Sequence, residues 1–136
     1  SSRIALKVAD IAKHGEMLPE LLNEVSVYEQ LSGLQGNGIP RFFCHGFVED
    51  VLYCVGVSIC GTVANRYSEQ QKQKLLETLK SIHEAGILHN DIKKENILID
   101  ESGNPYIIDF GFSTRNYSSV AQMEETNLLL SLVESN

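Results

Sequence analysis

The sequence predicts an α+β fold. Three observations carry that prediction: short apolar runs that alternate with polar residues or face each other across polar turns, longer segments with apolar residues at helical spacing, and no repeated strand-helix-strand crossover. At 136 residues and 43% hydrophobic content, the chain can bury one core and is too short for two ordinary domains, so residues 1–136 read as a single domain.

The elements follow in order. Residues 3–8 alternate in the manner of a half-buried strand, beginning almost at the first residue. Leu18, Leu21, Leu22, Val25, Tyr28 and Leu31 then recur at helical spacing, with Pro19 near the start, where its missing N–H costs nothing, and Gly33 at the end. Residues 41–47 and 51–57 are two strands joined through Glu49 and Asp50 as an antiparallel hairpin. Ser68 with Gln71 forms a capping box opening a helix whose inward stripe is Leu75, Leu76, Leu79, Ile82 and His83, and Gly86 closes it. Residues 97–99 and 106–108 flank a turn-rich stretch and pair as a second hairpin. Ser119 with Gln122 offers another capping box, and Met123, Leu128, Leu129, Leu132 and Val133 make the face of a last helix, too short for a coiled-coil seam.

Charge and composition remove several functions. Eleven Lys and Arg against 18 Asp and Glu give a net charge of -7, which repels nucleic acid and anionic membrane. No run of apolar residues approaches the roughly 18 a membrane span needs, and no signal peptide is visible. A soluble, cytoplasmic location is the expectation, although a signal removed before residue 1 leaves no trace. Cys44, Cys54 and Cys60 lack zinc-site spacing and read as reduced, half-buried thiols. His14, His45 and His83 have no partners at ligand spacing and read as surface or satisfied core residues.

Chemistry concentrates in two places. The stretch HNDIKKENIL, residues 89–98, sets Asp91, Lys93 and Asn96 in a loop between a helix and a strand, where reactive side chains can converge. Eleven residues past Leu98, Asp109 ends an apolar triplet and is followed by Phe110 and Gly111, so a carboxylate stands at the end of a strand.

These residues resemble the signature set of the protein kinases: residues 89–96 look like the catalytic loop, residues 109–111 like the magnesium-binding motif, and Ala5, Leu6 and Lys7 like the strand carrying the ATP-contacting lysine. The matches run in the family's order from Lys7 to Gly111. The resemblance implies a protein-kinase-like bilobal fold in reduced form: a small antiparallel sheet with one helix over residues 1–57, a hinge at 58–62, and a mainly helical lobe with catalytic loop and β-hairpin over 63–136. It implies ATP and Mg2+ as cofactors. Lys7 would contact the phosphates, paired with Glu24, or with Glu20 as the fallback. Asp91 would act as base toward the attacking hydroxyl, with Lys93 neutralising charge on the γ-phosphoryl. Asn96 and Asp109 would hold the metal through hard oxygens. Ala5 and Leu98 would sandwich the adenine, and residues 57–61 would bond its edge. His89 would be scaffold.

The implied activity is phosphoryl transfer to a hydroxyl of a protein Ser or Thr, since Lys93 stands where small-molecule kinases commonly carry another residue. The alternative is a kinase-like binding or regulatory module acting through a protein partner. The chain departs from the family in having only six residues before Lys7, where the glycine-rich strand pair belongs, and 25 after Gly111, without the Ala-Pro-Glu motif. From the first departure we expect weaker ATP binding and an open sheet edge that invites a partner strand or a dimer. Asn90 takes the place of the catalytic-loop arginine, which argues against control by phosphorylation of the following segment.

Overall fold

The structure is a computed structural model that describes residues 3–134, with the side chain of His14 outside the described residues. Helix and antiparallel sheet are mixed, as the α+β prediction requires. Strand β1 (Ile4–Asp10) leads through a single helical turn, α1 (Ile11–His14), into α2 (Leu18–Gln30). The hairpin β2 (Phe42–Val48) and β3 (Leu52–Ser58) comes next, then the short β4 (Thr62–Val63) and α3 (Glu69–Glu84). After these lie β5 (Ile87–Leu88), β6 (Ile97–Ile99), β7 (Pro105–Ile107), β8 (Thr114–Arg115) and α4 (Ser119–Glu134).

The first sheet has the order β1-β3-β2, with Lys7 opposite Val55 and Val48 opposite Leu52. Its hairpin turns where Glu49 and Asp50 adopt positive φ, 53° and 59°, a conformation that Asp tolerates better than most residues. Alternation along β1 sends Ala9 to the interior and leaves Ile4, Leu6 and Val8 exposed on the opposite face. Among the described residues β1 is an edge of this sheet. The face of α2 made by Leu21, Glu24, Val25 and Tyr28 is buried, with Leu31 just beyond. Leu22, expected in that stripe, is 44% exposed, because it lies about 100° around the helix from Leu21.

Helix α3 opens on the expected capping box: Gln71 N–H donates to Ser68 Oγ at 3.1 Å, and Ser68 N–H donates to Gln71 Oε1 at 2.8 Å. Its buried face is Leu75, Thr78, Leu79, Ile82 and His83. Gly86 follows with φ 80°, a left-handed exit that glycine adopts without strain. The small sheet β4-β6-β7 takes β4 from before α3 and its other two strands from between α3 and α4, where the pair β5-β8 also lies; of these strands the sequence marks only β6 and β7. The hairpin expected at 97–108 forms, with Ile97 opposite Ile107 and Leu98 opposite Tyr106.

Helix α4 corrects two expectations. Its cap is Ser118 rather than Ser119: Ala121 N–H donates to Ser118 Oγ at 3.3 Å, while the Gln122 side chain donates to the carbonyls of His83 and Asn116. Its buried positions are Glu125, Leu129 and Val133, one every four residues, and Met123 and Leu128 are 62% and 52% exposed. The cysteines are all free; Cys60 is buried and Cys54 half-buried, but Cys44 is exposed, on the same sheet face as Leu6. No helix among the described residues is long and apolar enough to cross a membrane.

Candidate active site

Local chain geometry brings the loop residues together. Asn96 Nδ2 donates to the Asp91 carbonyl at 2.8 Å and to Asp91 Oδ2 at 3.0 Å, so the loop closes on itself through one buried amide. Lys93 Nζ stands 3.7 Å from Asp91 Oδ1 with its side chain largely in solvent. Asn90 takes φ 69° at the head of the loop, and Asp109 takes the same value at the end of its strand. A left-handed non-glycine residue costs about 1–2 kcal/mol and persists only where its surroundings impose it.

His89 joins the two segments. Its Nε2–H donates to the Ile108 carbonyl at 2.8 Å, while its Nδ1 accepts the Asp91 N–H at 3.0 Å. A carbonyl can only accept and an amide can only donate, so this neutral tautomer is the one both bonds require. Burial pushes the imidazole's pKa below its ordinary value, which keeps it neutral. Ile108 N–H also donates to the Asn96 carbonyl at 2.9 Å, placing Asp109 one residue from a direct tie to Asn96.

On the sheet side, Lys7 Nζ donates to Glu24 Oε1 at 2.6 Å and lies 3.5 Å from Asp109 Oδ1. The fallback Glu20 stands instead beside Gly111, where a Cβ would come within 2.6 Å of its Cγ. Glu24 is 1% exposed; burial raises its pKa and the Lys7 ammonium offsets part of that rise. Ala5, Lys7, Leu98 and Asp109 line one cavity of about 150 Å³, together with Tyr28, Val57 and Cys60. Glu24 and Asn96 are not among its lining residues; Glu24 is bonded to Lys7, which is, and Asn96 to Asp91 in the adjoining loop. Among the described residues no group of three or more His, Cys, Asp or Glu could hold a metal ion.

Two sets of contacts are not legible in the sequence. An aromatic column crosses the molecule: Phe42 stacks on Tyr28 with centroids 5.9 Å apart, Tyr28 meets Phe110 edge-on at 5.4 Å, and Phe110 meets His89 at 4.9 Å. It links the sheet, α2, the Asp109 segment and the loop by packing alone. Glu125 was missed too. Its Oε1 accepts from His83 Nε2 at 2.8 Å and from the His89 amide at 3.0 Å, and its Oε2 accepts the Asn90 amide at 2.7 Å. The available signal was a carboxylate four residues before Leu129, on the apolar face of a helix. His45, bonded to Tyr53 Oη at 2.8 Å, and His83 are both satisfied.

A sheet and helix set above a loop-borne polar cluster define a kinase-like class of protein. The chain belongs to the protein kinase domain family, whose model matches residues 51–129, a span that includes Asp91, Lys93, Asn96, Leu98 and Asp109. Among curated proteins it is similar to the serine/threonine-protein kinase grp of Drosophila melanogaster, at 33% identity over 82% of this chain and 23% of that protein. It is 39% identical to serine/threonine-protein kinase D of Synechocystis over 71% of this chain and 21% of that protein. Serine/threonine-protein kinase AGC1-7 of Arabidopsis thaliana is 32% identical over 82% of this chain and 22% of its own length. The chain therefore spans between a fifth and a quarter of the length of each of these three relatives.

Proposed function

We propose that this chain binds ATP with Mg2+ and transfers the γ-phosphoryl group to a hydroxyl, that of a Ser or Thr in a protein. The observation that carries this reading is that Lys7, paired with Glu24, meets Asp109 in the cavity they share with Ala5 and Leu98, and that His89 ties this cavity to the loop of Asp91, Lys93 and Asn96. Phosphoryl transfer asks a protein to position its reactants and neutralise charge, and needs no covalent nucleophile. The residue types fit that demand.

The donor set also fits magnesium. With Asn96 Nδ2 committed to Asp91, its Oδ1 is left to face a cation, and the Asp109 carboxylate supplies the charged oxygen. One carboxylate and one amide oxygen suit an ion that keeps water and takes its other ligands from phosphate. Bound there, magnesium would neutralise charge on the phosphate oxygens.

The protein's own part is held by its ion pairs. Glu24 fixes Lys7 so that its ammonium can face the phosphates, and the apolar walls of Ala5, Val57 and Leu98 admit a flat ring, with residues 58–62 as the hinge along its edge. Asp91 Oδ2 is occupied by Asn96, which leaves Oδ1 to take the proton of the acceptor hydroxyl. Lys93 Nζ, 3.7 Å from that oxygen, would neutralise charge developing on the γ-phosphoryl. A protein substrate or partner, and a partner strand or second copy along β1, complete the reading.

The test is transfer of radiolabelled phosphate from ATP to a generic protein substrate. Asp91→Asn and Asp109→Ala should each lower the rate by about 10² or more. Nucleotide binding without transfer above those controls favours the binding module, and binding that survives Lys7→Ala with Asp109→Ala together sinks the assigned site.

A further inference from the structure

The strand-end segment that begins at Asp109 is fastened to helix α2 by side chains the reaction itself does not use. Asn23, next to Glu24 in sequence, lies about 100° around α2 from it; its Nδ2 donates to the carbonyls of Gly111 and Ser113, each at 2.9 Å. Its Oδ1 accepts from Arg115 Nη1 at 2.8 Å. Arg115 spreads its remaining donors along the same helix, Nη2 to Ser26 Oγ at 2.7 Å and Nε to Gln30 Oε1 at 3.3 Å. Residues 23, 26 and 30 recur at helical spacing, so one guanidinium spans two turns of a single face.

The other side of the segment is fixed as well. Asn90 Nδ2 donates to the Phe112 carbonyl at 3.1 Å and to Thr114 Oγ1 at 2.8 Å. Thr114 and Arg115 pair with Leu88 and Ile87 as a two-stranded ladder. Gln30 Nε2 donates to the Ala85 carbonyl at 2.7 Å, anchoring the far end of α2 at the end of α3. Every partner of Arg115 in this network is a neutral amide or hydroxyl oxygen.

Resting on the function proposed above, we infer that Arg115 and Asn23 are positioning residues that hold α2 at the rotation presenting Glu24 to Lys7, so that the Lys7–Glu24 pair is assembled without any added charge on the segment after Asp109. A helix is free to roll against a sheet through apolar contacts, which are not directional. Hydrogen bonds from a fixed strand to three positions on one helix face remove that freedom. Since Glu24 is the residue adjoining Asn23, a roll that breaks the Asn23 bonds also withdraws the carboxylate from Lys7.

Steady-state transfer at varied Mg-ATP tests the inference, with melting temperature followed in parallel. Arg115→Ala and Asn23→Ala should each lower kcat/KM for ATP about tenfold, mainly through KM, the size expected when hydrogen bonds to a charged group are lost. Arg115→Lys, which can keep one of the three contacts, should recover part of the loss. In a Glu24→Gln background, Arg115→Ala should change kcat/KM by no more than about twofold, because residues that act through one another are not additive.

Loss of the same size in both backgrounds, or loss in neither, overturns the inference. Should the unaltered protein neither bind Mg-ATP nor transfer phosphate, the functional reading fails on its own. Amide exchange in α2 then decides the positioning role: protection at residues 24–30 should drop about tenfold in Arg115→Ala, and unchanged protection overturns it. If Arg115→Ala fails to fold, Asn23→Ala and Arg115→Lys carry the same comparisons.

Discussion

At Glu125 one carboxylate accepts a histidine side chain and two consecutive backbone amides, all drawn from elements other than its own. Burial alone pushes its pKa up, but the bonds from His83, Asn90 and His89 outweigh burial and hold it below the ordinary glutamate value. A folded-state pKa below the unfolded one means the native protein gives up the proton more readily. Its contribution is therefore complete above the unfolded pKa and is lost as pH falls through the lower folded pKa. Glu125→Ala strands two buried amides and should cost about 3 kcal/mol, read by denaturant unfolding. Glu125→Gln should flatten the acid limb of the stability profile between those two pKa values, and an unchanged limb would show that the carboxylate's charge is not what the amides hold. Residues of this kind explain what the sequence concealed. Asp91, Lys93, Asn96 and Asp109 are legible because their spacing along the chain is itself the pattern, whereas Glu125, Asn23 and Arg115 acquire partners only from segments about 35 to 92 positions away.

Among the elements, those with local causes were readable and those with distant causes were not. The hairpin of β2 and β3 announces itself through its turn, and α3 through its capping box, because each signal lies within a few residues. Two-residue strands such as β5 and β8 are defined only by each other, 27 positions apart, so nothing local marks them. Helix α4 shows the limit from another side: its cap shifts by one residue because the chain entering it is held by Asn116, whose Oδ1 accepts the Ser118 N–H at 2.7 Å. The exit from α3 makes a sharp prediction. Gly86 holds φ 80°, and a Cβ there would stand 2.2 Å from a ring carbon of Tyr117. Gly86→Ala should therefore cost about 2 kcal/mol or more, combining the left-handed penalty with the clash, and lower the melting temperature by several degrees. If the cost comes from the ring, pairing Gly86→Ala with Tyr117→Ala should recover about half of it, leaving only the backbone term.

For the molecule as a whole, the formal charge of -7 and the candidate site pull against each other. A triphosphate approaching this surface meets net repulsion, and the site's own carboxylates, Asp91, Asp109 and Glu24, outnumber the amines of Lys7 and Lys93. Lys7 is moreover partly neutralised, with Glu24 at 2.6 Å and Asp109 at 3.5 Å. On the proposed function, Asp109 and Asn96 would hold magnesium, and its charge would offset that of the carboxylates that otherwise face the phosphates. A ligand bound only by the folded state adds about 2.7 kcal/mol of stability at a hundredfold excess over its Kd. With Mg-ATP at that excess the melting temperature should rise by roughly 9 °C. Removing the metal with EDTA at the same ATP concentration should abolish most of the rise, and raising salt should restore part of it by screening the repulsion. A rise that persists in EDTA at low salt would mean that ATP is held by cations elsewhere on the surface, and that the cleft between β1 and the loop of Asp91 is not where the triphosphate lies.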